Sequence, residues 1–355
     1  MMPRHRSRGA VLGALSTAVA LTALISACSS SSGSSATAGS SSGSSGTAGS
    51  SSAVSVILGN PAATYGEAAY VIADKQGYLA KNDVKSKSVL LSSSSTLLAA
   101  LVSGGVDFGT TNGAAVLAAR AKGVPVVAVC GLTSGVPGLA LVVSPKLMKS
   151  LHLVPGDVNG DLKKLKGQHI GVNSPTSTGG RILAGLEQDA GLPSTWLTEA
   201  SISSSTMVAA LAHGEVGGFF EDIPVPQQAI ANGSGVVAFD TGQVPALKDI
   251  QYNVIATSES YLKSHPQAVK QFLAGIKAGE ADLAAKKPAA LADVGGIYQG
   301  VNPTVVQNAA TSGLETNCAM PQSAWKSLAT VAAKWALIPK STTPAQVAAA
   351  YKSGL

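Results

Sequence analysis

Beyond residue 53 the chain alternates between two spacings of apolar residues. Val54-Ser55-Val56-Ile57-Leu58 alternates and is rich in β-branched residues, which predicts a strand. It runs into the turn-rich Gly59-Asn60-Pro61-Ala62-Ala63-Thr64-Tyr65-Gly66. Glu67 to Leu79 then carries apolar residues at helical spacing and breaks at Gly77. A second strand, Ser88 to Leu91, leads through Ser92-Ser93-Ser94-Ser95-Thr96 into a Leu/Ala helix that ends at Gly104-Gly105. Val106-Asp107-Phe108-Gly109 is the next short strand, closing on Thr110-Thr111-Asn112. Strand, loop and helix repeated in this order predict an α/β, doubly wound architecture.

The same order returns about 110 residues later. His169-Ile170-Gly171-Val172 reads as a strand, and Asn173-Ser174-Pro175-Thr176-Ser177-Thr178-Gly179-Gly180 as its loop. At an offset of 110, SSSTLLAALVSGGVDF from Ser93 meets SSSTMVAALAHGEVGG from Ser203, with nine of sixteen positions identical. Ser/Ala bias alone would not repeat the flanking elements as well, so two similar lobes are expected. Thr133-Ser134-Gly135-Val136-Pro137-Gly138 is a flexible stretch before the apolar strand Leu139 to Val143. A return crossing should fall between Val236 and Thr257, with Tyr252-Asn253-Val254-Ile255-Ala256 as a strand re-entering lobe one. Pro266 opens a helix, and Trp325, Leu328, Ala332 and Trp335 follow at i, i+3, i+7 and i+10, a packing stripe.

The first 52 residues follow a different rule. Arg4, Arg6 and Arg8 precede an apolar run from Ala10 to Ile25, and the run ends in Ile25-Ser26-Ala27-Cys28. A basic head, a short apolar stretch and small residues read as an export signal. A cysteine in that place resembles the bacterial lipobox, in which Cys28 is lipidated and becomes the mature N-terminus. Residues 29–52 contain only Ser, Gly, Ala and Thr, a flexible coil with a typical reach of ~27 Å. The expected division is therefore 1–27 signal peptide, 28–52 lipidated cysteine and tether, and 53–140 first part of lobe one. Lobe two follows over 141–240, and 241–355 returns to lobe one and adds the C-terminal helices.

This division changes what the composition means. The 355 residues are 45% apolar and 12% charged, with a formal charge of +6. Without the three signal arginines the balance is 22 basic against 19 acidic residues, which is no nucleic-acid footprint. Cys130 and Cys318 remain after Cys28, open to one long-loop disulfide or to two buried thiols. Neither has metal-site spacing, and no cofactor is expected. His152, His169, His213 and His265 lie far apart, and there is no HExxH, G-x-S-x-G or phosphate-loop motif. An enzyme using Glu221 and Asp222 as an acid/base pair is the rival class. Adjacent strand residues point to opposite faces, which counts against it.

In open α/β sheets ligands sit outside the carboxyl ends of the strands, where helices begin. Free N–H groups and the helix dipole favour acceptor oxygens there. The candidate ligand-binding residues are Asn60, Thr64 and Tyr65; Ser94, Ser95 and Thr96; Thr111 and Asn112; and Thr176, Ser177, Thr178 and Gly179. Each hydroxyl taken singly could equally be an ordinary N-cap.

The segment from Glu67 to Val129, with GYLAKNDVKSKSVLLSSSSTLLAALVSGGVDFGTTNGAAVLAARAKGVPVVAV at its centre, resembles solute-binding proteins of ABC importers. The similar subfamily binds nitrate, sulfonates and taurine, or pyrimidine precursors of thiamine. LKKLKGQHIGVNSPTSTGGRIL (Leu162 to Leu183) resembles the start of its second lobe, and FFEDIPVPQQAIANG (Phe219 to Gly233) its acidic-proline segment. The resemblance covers nearly all of 53–355. It implies a two-lobed, hinge-closing periplasmic-binding-protein fold (type II), delivery of a small molecule to a permease with a separate ATPase, a monomer, and no catalysis. The family's Trp-Asp-Pro or Trp-Glu-Pro is replaced by Phe220-Glu221-Asp222-Ile223-Pro224, so which of Glu221 and Asp222 faces the cleft stays open. Both carboxylates would repel an anion and suit a hydroxyl, amine or heterocyclic N–H. Arg181 alone lies among the hydroxyl-rich loops, where a dianion would want a bidentate guanidinium. A binding protein feeding a sensor would look the same.

The lipobox reading makes the first prediction. Cys28→Ala should abolish acylation, so that fractionation finds the protein released into the medium or retained as an uncleaved precursor. A variant still anchored and processed like wild type would refute the lipid anchor.

Overall fold

Among the described residues ten strands form two separate five-stranded sheets. The computed structural model describes residues 53–355, apart from 61–64, 92, 137, 299–300, 312–313 and 315–316 and the side chains of Tyr65, Val305 and Ala309. The signal arginines, Cys28, the 29–52 tether, Thr64 and the Tyr65 side chain lie outside the described residues.

The strands are β1 (Val54–Asn60), β2 (Val84–Leu90), β3 (Phe108–Asn112), β4 (Val126–Gly131), β5 (Ala140–Val143), β6 (His169–Val172), β7 (Thr198–Ser201), β8 (Gly218–Glu221), β9 (Val236–Asp240) and β10 (Asn253–Ser258). Sheet one runs β2-β1-β3-β10-β4 and sheet two β7-β6-β8-β5-β9. In each, three strands are parallel and the fourth, β10 or β5, enters antiparallel. Each of those two is the first strand after a crossing between sheets. The sheets are therefore topological copies, as the sequence repeat predicts.

The helices of the first stretch are α1 (Ala68–Lys75), α2 (Tyr78–Lys81), α3 (Ser94–Ser103) and α4 (Gly113–Ala121). Those around sheet two are α5 (Pro145–Ser150), α6 (Val158–Lys164), α7 (Thr178–Asp189), α8 (Ser204–His213) and α9 (Val225–Ala231). After β10 come α10 (Glu259–Ser264), α11 (Pro266–Ala284), α12 (Pro288–Gly295), α13 (Pro303–Ala310), α14 (Gln322–Lys334) and α15 (Pro344–Ala348). The repeat holds at residue level. α3 and α8 begin 110 positions apart and stop at Gly104 and Gly214, each left-handed with φ of 76° and 77°. Among the described residues no helix is long and apolar enough to cross a membrane.

Three local expectations shift. The helix expected over Glu67 to Leu79 is a 3-10 turn at Tyr65–Glu67 followed by α1 and α2, divided at Gly77. The second strand starts four residues before Ser88, at Val84, because β2 is a sheet edge and can expose Lys85 and Lys87. Thr110, Thr111 and Asn112 belong to β3 itself rather than to the loop after it.

Each sheet is buried on both faces. Val56, Leu58, Phe108, Val129 and Ile255 face α1 and α11, where Phe108 stacks on Phe272 at 4.1 Å. Val142, Phe219 and Met207 form the outer core of sheet two. The remaining faces meet in one apolar cluster that runs from Val116 and Leu117 of α4 through Val136, Leu139, Leu247 and Ile250 to Leu183 and Leu186 of α7. Trp325 and Trp335 belong to it, as packing residues. At about 25 cal/mol per Å² of apolar surface, such continuous burial dominates the folding free energy.

The two crossings, 132–139 and 241–252, run as a ribbon. Leu132 N–H donates to Asn253 O at 2.8 Å, Gly135 N–H to Ile250 O at 2.8 Å, and Tyr252 N–H to Thr133 O at 3.1 Å. Thr241 N–H donates to Leu139 O at 2.9 Å. Gly138 takes a φ of +80°, and a Cβ there would lie 2.5 Å from the Ile223 side chain, so two requirements meet at one glycine.

Cys130, at the end of β4, is bonded to Cys318, with the Glu280 carboxylate accepting the Cys318 N–H at 2.8 Å. The bond closes a loop of sequence separation 188 and fastens the C-terminal segment to the start of the first crossing. In the chain-entropy view such a loop contributes about 5 kcal/mol. The double variant Cys130→Ala/Cys318→Ala should lose stability on that order in denaturant titration. A loss below about 1 kcal/mol would show that the loop is held by packing alone.

Candidate functional site

The parallel strands of each sheet end at the face where the crossings run, so their terminal residues oppose one another. On sheet one these are Asn60 and Asn112, and on sheet two Glu221, with Asn173 directly after the end of β6. One side-chain contact and several close approaches link the two sets. Asn112 Nδ2 donates to Thr178 Oγ1 at 3.4 Å across the lobes. Next to Asn112, Gly113 N–H donates to Tyr252 O at 2.6 Å. The Tyr252 phenol is buried and feels the charges of Asp222 and Glu221. Phe220, just before Glu221, brings its carbonyl oxygen to 3.2 Å of where a Cβ on Gly179 would sit, and Gly179 adjoins Thr178.

Several expected residues have local duties. Asn60 is almost fully buried, its Nδ2 donating to Ser88 Oγ at 2.7 Å and its Oδ1 accepting the Thr110 hydroxyl. It ties the ends of β1, β2 and β3 together. Asn112 Oδ1 accepts the Ala115 N–H at 2.7 Å and so caps α4. Ser177 Oγ accepts the Gly180 N–H at 3.2 Å, capping α7, and donates to Ser174 O. The cap of α3 is Ser93, whose hydroxyl also meets Thr96 at 3.0 Å, while Ser94 and Ser95 fill the first turn. Thr176 is exposed beside Ser174, and its carbonyl accepts the Arg181 Nε–H at 3.0 Å. Thr111 is buried, and its hydroxyl has no partner among the described residues.

The structure brings Asn112, Thr178, Gly179, Glu221 and Asp222 together. Ser94, Ser95 and Thr96 make up the first turn of α3 and are not part of this group. Three further side chains join the site. Asn173 Nδ2 donates to Ser204 Oγ at 2.7 Å and to Glu221 Oε2 at 3.3 Å, and the buried Tyr252 phenol lies within the field of both carboxylates. Asn173 opens the loop after β6 and Ser204 lies in the repeated SSST, so both stood in view in the sequence. Tyr252 carried only a strand signal. Asp222 Oδ1 accepts the N–H of its neighbour Ile223 at 2.8 Å, whereas Glu221 reaches outward to Asn173.

The NMT1-like family model matches residues 52–295. The periplasmic aliphatic sulphonate binding protein SsuA from Escherichia coli is 17% identical with a TM-score of 0.66, over 85% of this chain and 92% of that one. The alkanesulfonate-binding protein SsuA from Xanthomonas axonopodis pv. citri bound to MOPS is 18% identical with a TM-score of 0.64, over 84% and 98%. The periplasmic nitrate-binding protein NrtA from Synechocystis PCC 6803 is 18% identical, again at 0.64, over 84% and 86%. Identities this low establish a shared fold, the two-lobed one of periplasmic binding proteins. No curated protein matches significantly.

Burial raises the Glu221 carboxyl from 4.5 to about 6, against a smaller opposing pull from the Asp222 N–H. Burial also lifts the Tyr252 phenol well above its ordinary value, and the negative charges of Asp222 and Glu221 lift it further. Between 4.5 and about 6 the folded chain keeps a Glu221 proton that the unfolded chain has lost. Stability therefore falls as pH rises through that window. The penalty is absent below it and complete above it, at most about 2 kcal/mol on the scale of ~1.4 kcal/mol per pKa unit. Glu221→Gln should thus be more stable than wild type by about 1–2 kcal/mol above the window, with the difference vanishing below it. Denaturant titrations on both sides of the window measure this. A variant no more stable than wild type above it would mean that the charge is already compensated.

Proposed function

The chain belongs to the NMT1-like family, and from that premise we propose that it is the extracytoplasmic solute-binding component of an ABC importer. In this reading the lobes close on a small polar ligand between the facing strand ends and hand it to a permease served by a separate ATPase. The observation that carries the reading is the polar contact between the lobes at the facing strand ends, where Asn112 Nδ2 meets Thr178 Oγ1 at 3.4 Å. The groups there suit holding and orienting a ligand, and the role proposed is binding without catalysis, as in the periplasmic binding proteins that share the fold. Lipid anchoring at Cys28 and a 29–52 tether fit such a role, holding a monomeric receptor near its permease at the outer face of the membrane.

Ligand chemistry follows from the charges. Glu221 and Asp222 disfavour a bare anion, although the similar structures include sulphonate- and nitrate-binding proteins. Arg181 spends its Nε–H on the Thr176 carbonyl. A small organic ligand with an N–H group toward Glu221 and acceptor oxygens toward the starts of α4 and α7 suits both sides.

A thermal-shift screen over amides, amidines, amino-heterocycles, aminosulfonates, methanesulfonate and nitrate tests the proposal. A true ligand at 100 times its Kd stabilises by ~2.7 kcal/mol. Thr178→Ala should weaken it by about fivefold to tenfold, the worth of one hydrogen bond. Asn112→Ala is a poorer probe, since losing the α4 cap costs about 1 kcal/mol by itself. An N–H donor should bind less well as pH falls through about 6, where Glu221 takes up a proton; a bare anion should show the opposite slope. If no compound shifts the melt, or Thr178→Ala leaves Kd unchanged, the cleft is misassigned.

A further inference from the structure

The two crossings are a two-stranded ribbon, and a ribbon by itself lets the lobes bend and twist about it. A third attachment lies off that axis, in the C-terminal segment. α14 starts on sheet one. Its Trp325 is fully buried and stacks on Tyr351 at 4.8 Å with the rings 5° apart, and Tyr351 is bridged to Ala128 of β4. Leu328 fills the space beside Gly113 at the start of α4, where a Cβ would come within 2.9 Å of it.

The other end of α14 lies on sheet two's helix α7. The indole of Trp335 covers Gly185 so closely that a Cβ there would fall 2.2 Å from Cδ2. Its Nε1–H donates to Asp189 Oδ1 at 3.2 Å. Lys334 Nζ lies 2.7 Å from the same oxygen, and Gln188 Nε2 donates to Lys334 O at 3.0 Å. The ion pair is solvent-exposed on its lysine side and adds little, so the buried indole carries the attachment.

We infer that α14 is a brace between the lobes, with Trp335 in the Gly185 niche as its releasable end, and that it limits how far the lobes part. α7 gives the brace its leverage. The same helix, about 18 Å long, begins at Thr178 in the cleft and ends at Asp189 under Trp335. Opening must either carry α7 and α14 together or lift the indole off Gly185. Packed interiors favour discrete arrangements over continuous deformation, so the contact acts as a catch. The brace concerns the lobes themselves and holds whichever solute they take.

Its test needs no ligand. Spin labels at Ser103→Cys and Ala212→Cys, on the exposed ends of the repeat-related helices α3 and α8, report the distance between lobes with the native disulfide intact. Gly185→Ala places a methyl group where the indole lies while favouring the helix, and Trp335→Ala removes the indole. Both should broaden the distance distribution and move it outward by several ångströms in the ligand-free protein, with the circular-dichroism spectrum retained. A distribution in Gly185→Ala that superimposes on wild type, or that shortens, overturns the brace. Should Trp335→Ala fail to fold, Gly185→Ala decides alone. Because the readout is lobe separation, it is independent of whether the solute screen finds a ligand.

Discussion

The antiparallel seating of β5 and β10 is the constraint on which the rest of this fold depends. Each is the first strand after a crossing, and each holds an edge strand that has no other strand partner among the described residues: β9 in one sheet, β4 in the other. Sheet one therefore cannot be completed until the chain has made sheet two and come back. The return fixes the hinge, because the strand that closes sheet one must enter beside the strand that left it. The crossings are adjacent and hydrogen-bonded for that reason, and the strand ends that carry Asn112 and Glu221 are brought face to face. Contacts at such separations are entropically slow to form, and the Cys130–Cys318 bond fastens the same corner.

Much of this is readable in the residues, and the exceptions have physical causes. The 110-residue repeat foretells two lobes because both depend on the same loop-and-helix grammar, down to Gly104 and Gly214 as left-handed helix ends. β2 reads as starting late because an edge strand tolerates Lys85 and Lys87, which break the apolar alternation. The hydroxyl-rich loops are where the helices begin, as expected, but Ser93, Asn112 and Ser177 satisfy backbone donors of their own helices. A sequence shows a hydroxyl and not what it bonds, so counting them overstates what is left for a ligand. Tyr252 was invisible as a site residue because its place arises from tertiary structure, its carbonyl accepting from Gly113 and its phenol lying in the field of Asp222 and Glu221. The tryptophans of the C-terminal helix were legible as buried; that Trp325 belongs to one lobe and Trp335 to the other is a fact of direction, which periodicity does not encode.

The remaining question is why a chain so poor in charge puts two carboxylates at its hinge. Glu221 is desolvated, its hydrogen bonds come from one amide side chain and one backbone N–H, and the buried phenol of Tyr252 feels its charge. None of these neutralises it, so the folded state carries an unfavourable term that glutamine would remove. Structure alone gives no reason to keep it, and perturbed groups of this kind gather where binding or chemistry uses them. The helix starts at α4 and α7, where Asn112 meets Thr178, contribute partial positive charge nearby. A site built from both polarities discriminates better than one built from either. An anion gains at the helix ends and loses at Glu221, and a simple cation does the reverse. In the proposed site a molecule with an acceptor edge and an N–H edge gains at both, and the desolvated carboxylate penalises every ligand that lacks the second.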